Sequence, residues 1–484
     1  MSITSALSNA LSGLSAAGRS AQVVSSNLSN AMTPGYARRN VELSADVLGG
    51  SGAGVRIDGI SRFVDRVVLA DRRLSDAALG QEDTRTGFLS AATDLVGRVE
   101  DPDSLSALMA RFEGELVSAA ARPDSMARLT SSVEAAEAVV QALNTASDGV
   151  QARRLAADQA IAADVETLND SLNRLVDLNA QIAVRSRDPG GANALLDQRQ
   201  QLIDKVSAIV PVRIMPRQAD GVALITTGGQ ILLDGRAAEV GFTPVSAVDP
   251  TVSHAGGFLS GLTVNGDPVA AKPGGRFDGG TLSAQFEVRD TLAPQAQARL
   301  DAVARDLVER FEAPGVDPTR AAGAPGLFTD RGAPLDPADE TGLSARIALN
   351  AAVVAAEGGA AWRLRDGLGA AAEGNVGDAR GLNRLLDALS APRSPASGDF
   401  GGAQVSAGGL ADRLMAISSA DQAASETSRI YAQTRNDALR TEEMTHGVDS
   451  DQELQKLMLV EQAYAANARV VQTVDAMIQR LMEI

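Results

Sequence analysis

The chain has no cysteine, so disulfides, thiolate metal ligation and thiol catalysis are excluded. Histidine is nearly as scarce. His254 and His446 are the only two in 484 residues, far apart in sequence, and each reads as an ordinary surface or loop side chain rather than part of a triad or a metal cluster. Aromatic residues make up 3% of the chain, and no aromatic-rich stretch offers a cleft for stacking a sugar. Positive charge is in deficit, with 44 Lys and Arg against 61 Asp and Glu and a formal net charge of −17. Phosphate contacts need the opposite sign, which argues against nucleic acid as a partner. No segment reaches the ~18 to 20 uninterrupted apolar residues of a membrane span. The first charged side chain is Arg19, so the basic start of a cleaved secretory signal is missing. A chain of this kind that leaves the cell is expected to do so without cleavage.

What is present is a matched pair of ends. Ile3, Leu7, Ala10, Leu14, Ala17, Ala21, Val24, Leu28 and Ala31 place an apolar or small residue at every step of a heptad. Leu457, Val460, Tyr464, Val471, Val474, Ile478 and Leu481 do the same near the other end, interrupted only by the polar Asn467. A 4,3,4,3 spacing keeps one seam facing a partner helix. Neither end can bury its seam alone, so the two are expected to pair antiparallel and to become ordered when neighbouring subunits supply further contacts. A membrane-surface helix would need a basic face, which the first segment lacks.

Between the ends, periodicity predicts helices over 62–98, from Asp101-Pro102 to Arg122, over 127–186 up to a break at Asp188-Pro189-Gly190-Gly191, and over 192–209, 292–311 and 407–444. Ser450-Asp451-Gln452-Glu453 reads as a capping box opening the last helix. Short strands are expected at 41–43, 54–60, 212–214, 222–226 and 231–233, with a hairpin turn at Asn265-Gly266. Residues 314–405 are rich in Gly, Pro and Ala, have little periodicity except around 343–355 and 378–389, and read as exposed, loop-heavy material. Trp362 reads as a partly buried core residue rather than a binding hot spot. Asp449-Ser450-Asp451 reads as helix capping rather than a calcium loop, and the paired glycines at 274–275 and 279–280 as turns rather than phosphate cradles. No cofactor or metal is implied. The predicted fold is mainly α with an inserted β-rich outer part, the terminal helices forming a discontinuous coiled-coil domain. Its units are 1–45 with 445–484 (inner), 46–209 with 406–444 (helical rod) and 210–405 (outer), and helix 292–311 is open to packing back on the rod.

The stretch Ser26-Asn27-Leu28-Ser29-Asn30-Ala31-Met32-Thr33-Pro34-Gly35-Tyr36 resembles the N-terminal signature of the bacterial flagellar rod, hook and hook-associated axial proteins. Ser26 stands where that family usually has Asn, and Met32 where Asn or Asp is common. Gly447-Val448-Asp449, Glu453-Leu454 and Glu461-Gln462-Ala463-Tyr464-Ala465-Ala466-Asn467-Ala468 resemble the matching terminal helix. The motif residues are thus Asn27, Asn30, Thr33, Pro34, Gly35 and Tyr36 at one end and Gln462, Ala463 and Asn467 at the other. Asn193-Ala194-Leu195-Leu196-Asp197-Gln198-Arg199, and Gly280-Thr281-Leu282 with Phe286-Glu287-Val288-Arg289-Asp290, are similar to the hook-associated branch that joins hook to filament.

The resemblance implies a structural subunit rather than an enzyme, self-assembling through its terminal helices into a short tier of a hollow fibre. It implies the hook protein, the next hook-associated protein on the filament side, and a cytoplasmic export chaperone on the C-terminal helix as partners. It places the protein outside the cell on the flagellum, after type III export. Thr33 to Tyr36 would end the inner helix and turn the chain outward, with Tyr36 anchoring the bend. The alternatives are the hook protein or another hook-associated protein and, more distantly, a secreted hydrolase with paired carboxylates.

Overall fold

The computed structural model describes residues 3–48, 51–188, 190–402 and 404–482. Ser2, Pro189 and residues 483–484, which the sequence assigns to the first helix, the break at 188–191 and the last helix, lie outside them. The fold is mainly α with small antiparallel sheets. Helix α1 (Ile3–Ser29) is followed by a hairpin, β1 (Arg39–Leu48) and β2 (Ser51–Arg62), longer than the two short strands expected. Four helices come next: α2 (Arg66–Val96), α3 (Leu105–Ala121), α4 (Met126–Arg185) and α5 (Asn193–Ile209). The Asp65 carboxylate caps α2 by accepting from the Val67 and Val68 amides. The cap of α3 is Ser104, not Asp101-Pro102 as expected. Asp101 instead closes the preceding turn, its carboxylate accepting from the Arg98 amide and its carbonyl from Ser104 N–H, so the helix begins one turn later.

At about 1.5 Å per residue, the 60 residues of α4 make a spine about 90 Å long. Ile161, Val165, Leu168, Leu172, Leu175 and Ile182 form its buried stripe in the second half. There it packs against α5 and two small sheets. One sheet orders β3 (Val212–Pro216), β4 (Val222–Thr226), β5 (Ile231–Asp234) and β6 (Arg236–Ala237); the other orders β7 (Val240–Gly241), β8 (Leu262–Val264) and β9 (Asp267–Val269). Asn265 and Gly266 turn β8 into β9 with positive φ of 51° and 87°, as a type I′ turn requires.

The first half of α4 packs differently. Helix α6 (Gly280–Glu287) runs through one π-helical turn, Val288–Leu292, into α7 (Ala293–Glu312). Leu300, Val303, Leu307 and Phe311 of α7 are buried in the cluster that also holds α3, α4 and the long helix α11 (Ala407–Thr445). Helix 292–311 therefore lies on the rod. Most of the chain from 314 to 402 lies there too: β10 (Phe328–Asp330) pairs with β11 (Ile347–Leu349), and short helices α8 (Leu343–Arg346) and α9 (Arg363–Asp366) precede α10 (Arg380–Ser390). Phe328, Leu343, Val353, Leu364, Leu382, Leu389 and Phe400 are all in the same buried cluster.

The reading of 314–405 as exposed loop is corrected by this, and 210–405 divides: its sheets, with Leu282 and Phe286 of α6, belong to the second half of α4, and 288–402 shares the core on the first half. Apolar residues spaced without regular periodicity can still be buried when the chain wraps a preformed helical surface. Trp362 is half-buried against this core, its ring covered by Arg363 at 4.8 Å. At its centre Phe112, Phe311 and Phe328 meet with ring centroids 5.1 to 6.3 Å apart.

Ion pairs fasten α11 to α2 and α5. Arg72 bridges Asp76, Asp204 and Glu443, and Asp76 also accepts from Asn436 (2.7 Å) and Arg440 (2.9 Å). Burial alone would raise the Asp76 pKa, but Asn436, Arg72 and Arg440 outweigh it and hold the carboxyl below its ordinary range.

Two substitutions test this packing. Phe328→Ala should destabilise the rod by about 3–5 kcal/mol in denaturant unfolding, with amide exchange rising in α3 as well as locally; a change confined to 314–405 would contradict the shared core. Asp76→Asn should weaken unfolding stability at neutral pH, and the difference from the parent should shrink as pH falls through the native Asp76 pKa. The sign comes from the depressed carboxyl: its contribution is present above the unfolded value and lost on protonation.

Candidate functional site: the paired chain ends and their seat

Helix α12 (Ser450–Met482) returns along α1. Asp449 caps it, accepting from the Asp451 and Gln452 amides. The expected capping box does not form, because Glu453 points the other way. Its side chain is 1% exposed and accepts from Asn27 Nδ2 at 2.9 Å and Lys456 Nζ at 2.7 Å. Asn27 itself is 0% exposed and has every hydrogen-bonding valence filled. Its amide donates to the Arg39 carbonyl (2.8 Å) and to Glu453; its oxygen accepts from Tyr36 OH (2.9 Å) and Arg39 N–H (3.0 Å). One amide thus joins the last turn of α1, the outgoing strand and the first turn of α12.

The second contact defining the register is Gly13 with Asn467. A Cβ on Gly13 would lie 2.7 Å from the Asn467 side chain, so the glycine permits the close approach. Asn467 donates to the Ala463 carbonyl at 2.9 Å. Asn27 and Gly13 are two heptads apart on α1, and Glu453 and Asn467 two heptads apart on α12 in the opposite sense, so the pair is antiparallel. The pair lies within one chain, and the β1–β2 hairpin lies along α1 as a third partner, donating Val55 N–H to Ser12 Oγ at 3.1 Å.

Of the expected interface residues, Val24 and Val474 are buried; Ile3, Leu7, Leu14, Leu457, Val460 and Val471 are half-buried; Leu28, Tyr464, Ile478 and Leu481 are exposed, Leu481 by 60%. In the turn, Tyr36 N–H donates to Thr33 O and Gly35 has φ +76°, as a type II turn requires. Asn30 closes the end of α1, its amide donating to Ser26 O and its oxygen accepting from Thr33 Oγ1. Pro34 is exposed, and so are Gln462 and Ala463. Tyr36 anchors the bend through its hydroxyl on Asn27 and its ring under Arg39, 4.8 Å away.

The turn and the hairpin base sit on α5. Gln201 Nε2 donates to the Pro34 carbonyl (2.6 Å) and Asn193 Nδ2 to the Ile60 carbonyl (2.9 Å). Asp197 takes Arg39 on one oxygen (2.9 Å) and Arg62 on the other (2.6 Å); Arg62 also reaches Gln200. Nearby, burial pushes the Arg199 pKa down to about 10, against Asp220, which favours the charged form. Sequence reasoning missed Glu453, Arg39 and Arg62. A carboxylate in a helix's first turn looks like a cap, and the arginines lay outside the recognised motifs. Asp197 stood inside one but had no visible partner.

Among the described residues, no group of His, Cys, Asp and Glu could hold a metal ion, and no helix is long and apolar enough to cross a membrane. Asn27→Ala would leave the Arg39 amide and one Glu453 oxygen without partners and the Tyr36 hydroxyl with Ser26 Oγ at 3.4 Å in place of its shorter bond. It should lower stability by about 2–4 kcal/mol and loosen α12 first in hydrogen exchange; unchanged protection of α12 would show that the node does not hold the pair.

Comparison with known proteins gives two family matches. Residues 90–326 match the family described as "Flagellar hook-associated protein FlgK helical domain", and residues 445–484 match "Flagellar basal body rod FlgEFG protein C-terminal". Flagellar hook-associated protein 1 of Salmonella typhimurium is 27% identical over 256 residues, 51% of this chain and 46% of that protein. The protein of the same name from Escherichia coli is 24% identical over 54% of this chain and 49% of its own length. With these two relatives, the match spans about half the length of the relative. The Bacillus subtilis protein of that name is 22% identical over 98% of this chain and 97% of its own length. A solved flagellar hook junction protein from Burkholderia pseudomallei is 18% identical, with a TM-score of 0.43 over 54% of this chain and 46% of that one.

Proposed function

Because this chain belongs to the family of flagellar hook-associated protein 1, we propose that it is a structural subunit of the bacterial flagellum, joining hook to filament by self-assembly through its terminal helices. Its work is mechanical rather than catalytic. The observation that carries this reading is a second apolar face on α12. Leu459, Ala463, Ala466, Val470, Thr473 and Met477 repeat at 4,3,4,3,4 spacing, beside the seam turned toward α1. All six are exposed, Leu459 by 65%. Tyr464, Ile478 and Leu481 of the first seam are exposed as well. A helix with two adjacent heptad faces, only one of them occupied, suits a position in a closed wall of helices, where each α12 touches its own α1 and a neighbour's helix.

In this arrangement the terminal pair lies innermost, the rod surrounds it, and the sheets on the second half of α4 lie outermost. The hook protein and the next hook-associated protein meet the subunit above and below its tier. The exposed α12 is also where a cytoplasmic chaperone would shield the monomer before export. The net charge of −17 keeps such monomers apart in solution.

Two experiments test the reading. Cells lacking this chain should build hooks without filaments and shed filament protein into the medium; normal filaments would refute it. Leu459→Asp with Val470→Asp and Met477→Asp should leave the circular dichroism of the purified monomer within error of the parent while abolishing rescue of motility. Full rescue would rule out this face as the subunit contact.

A further inference from the structure

Asn265-Gly266 is the one place in the chain where Asn precedes Gly. The two residues form the tip of the β8–β9 hairpin, between Val264 and Asp267, which pair across it. Both are exposed, and a Cβ on Gly266 would have no neighbour within 4 Å. The Asn265 side chain is held on its oxygen alone. Its Oδ1 accepts from the Glu239 amide at 3.0 Å, while Asn265 N–H donates to the Glu239 carbonyl at 2.8 Å. Among the described residues, neither Asn265 Nδ2 nor Gly266 N–H has a hydrogen-bond acceptor. We propose that this turn is a site of spontaneous deamidation in the folded protein, at which the Gly266 nitrogen displaces the Asn265 side-chain amide and remodels the β8–β9 hairpin irreversibly.

Asparagine is a chemically labile residue, and three requirements of its self-attack meet here. The nucleophile is an unpaired backbone nitrogen, and glycine puts no Cβ in its path. The electrophile is a side-chain carbonyl that the Glu239 N–H polarises. That donor is already aimed at the oxygen that gains negative charge as the nitrogen adds. The leaving group is Nδ2, whose departure breaks no contact. Gly266 N gives its proton to water and bonds to Asn265 Cγ; the Cγ–Nδ2 bond breaks, and ammonia leaves with a proton taken from water. Water then opens the five-membered imide. Opening at Cγ leaves an aspartyl residue, and opening at the main-chain carbonyl leaves an isoaspartyl link. Water is consumed, ammonia is released, and nothing is oxidised or reduced.

Both products act on the sheet. The isoaspartyl link adds a methylene to the backbone of a two-residue loop whose length sets the register of the strands. Leu262 and Val264 of β8 are buried in the core on the second half of α4. The change therefore falls on β9, where Asp267 and Pro268 are exposed and Val269 is half-buried. The aspartyl product adds a negative charge beside Asp267 and against the backbone of Glu239. Neither effect depends on the assembly proposed above.

The test is incubation of the purified full chain at mildly alkaline pH in heavy-oxygen water, followed by peptide mapping with mass spectrometry. Asn265 should be converted while every other Asn stays intact, with heavy oxygen entering at that residue and the isoaspartyl form in excess. Amide exchange should rise in β9 of the converted fraction and stay unchanged in α4. Gly266→Ala should slow the conversion roughly tenfold, because a Cβ then crowds the attacking nitrogen. A parallel incubation of the parent in urea sets the time in which the unfolded chain converts, and it decides the matter without the variant if Gly266→Ala fails to fold. Asn265 still intact in the folded chain after that time, conversion spread over several Asn, or a folded Gly266→Ala converting as fast as the parent would each overturn the proposal.

Discussion

With seams built largely from alanine, glycine, serine and single aliphatic residues, the terminal helices bury little apolar area against each other. A buried amide does here what area does elsewhere. Asn27 has all its partners only when α1, the turn after it, the start of β1 and the first turn of α12 are in place together. A shift of either helix strands Glu453 or the Arg39 backbone in a dry environment, and that penalty makes a slim seam specific. The orientation of the chain ends, and hence of any surface they present to a neighbour, depends on this node.

The body is organised by one long helix with two cores strung along it. The cluster around Phe112, Phe311 and Phe328 ends on α4 at Ala157, and the cluster around the sheets begins at Ile161. Between them lies Asp158, fully buried and paired with Arg289 at 2.8 Å. Arg289 also holds Asp290 and stacks under Phe286 at 4.8 Å. Burial pulls the Arg289 pKa down, but the two aspartates outweigh it and keep the guanidinium charged. The π-helical turn lies where Arg289 must reach back to α4, and an extra residue in that turn re-aims the side chain without ending the helix. A charged joint between two apolar cores fixes where each begins, as Asn27 fixes the register of the ends.

Much of this was legible in the sequence. Helices α2, α4, α5, α11 and α12 begin and end within a few residues of their predicted bounds, because period, proline, glycine and capping residues act locally. The Asn265-Gly266 turn and the bend at Thr33 to Tyr36 were legible for the same reason. The placement of 314–405 was not. Leu343, Leu364 and Phe400 are spaced by no helical or strand period, and only the surface they wrap gives them a common core. Glu453 was misread because a carboxylate three residues into a helix has a plausible local partner. Its actual partner, Asn27, is 426 residues away.

The sequence by itself determined the long helices, the two heptad seams, the turn between α1 and β1, the absence of thiol chemistry and the family. These depend on intervals of a few residues, over which backbone sterics and side-chain spacing act directly. The tertiary structure alone decided that Asp197 would lie between Arg39 and Arg62, that Glu453 would face Asn27, and that the chain ends would meet the body through polar contacts. Those are pairings of charge and hydrogen bond across long stretches of chain. Their partners are chosen by geometry and desolvation once the helices are packed, and no local pattern encodes them.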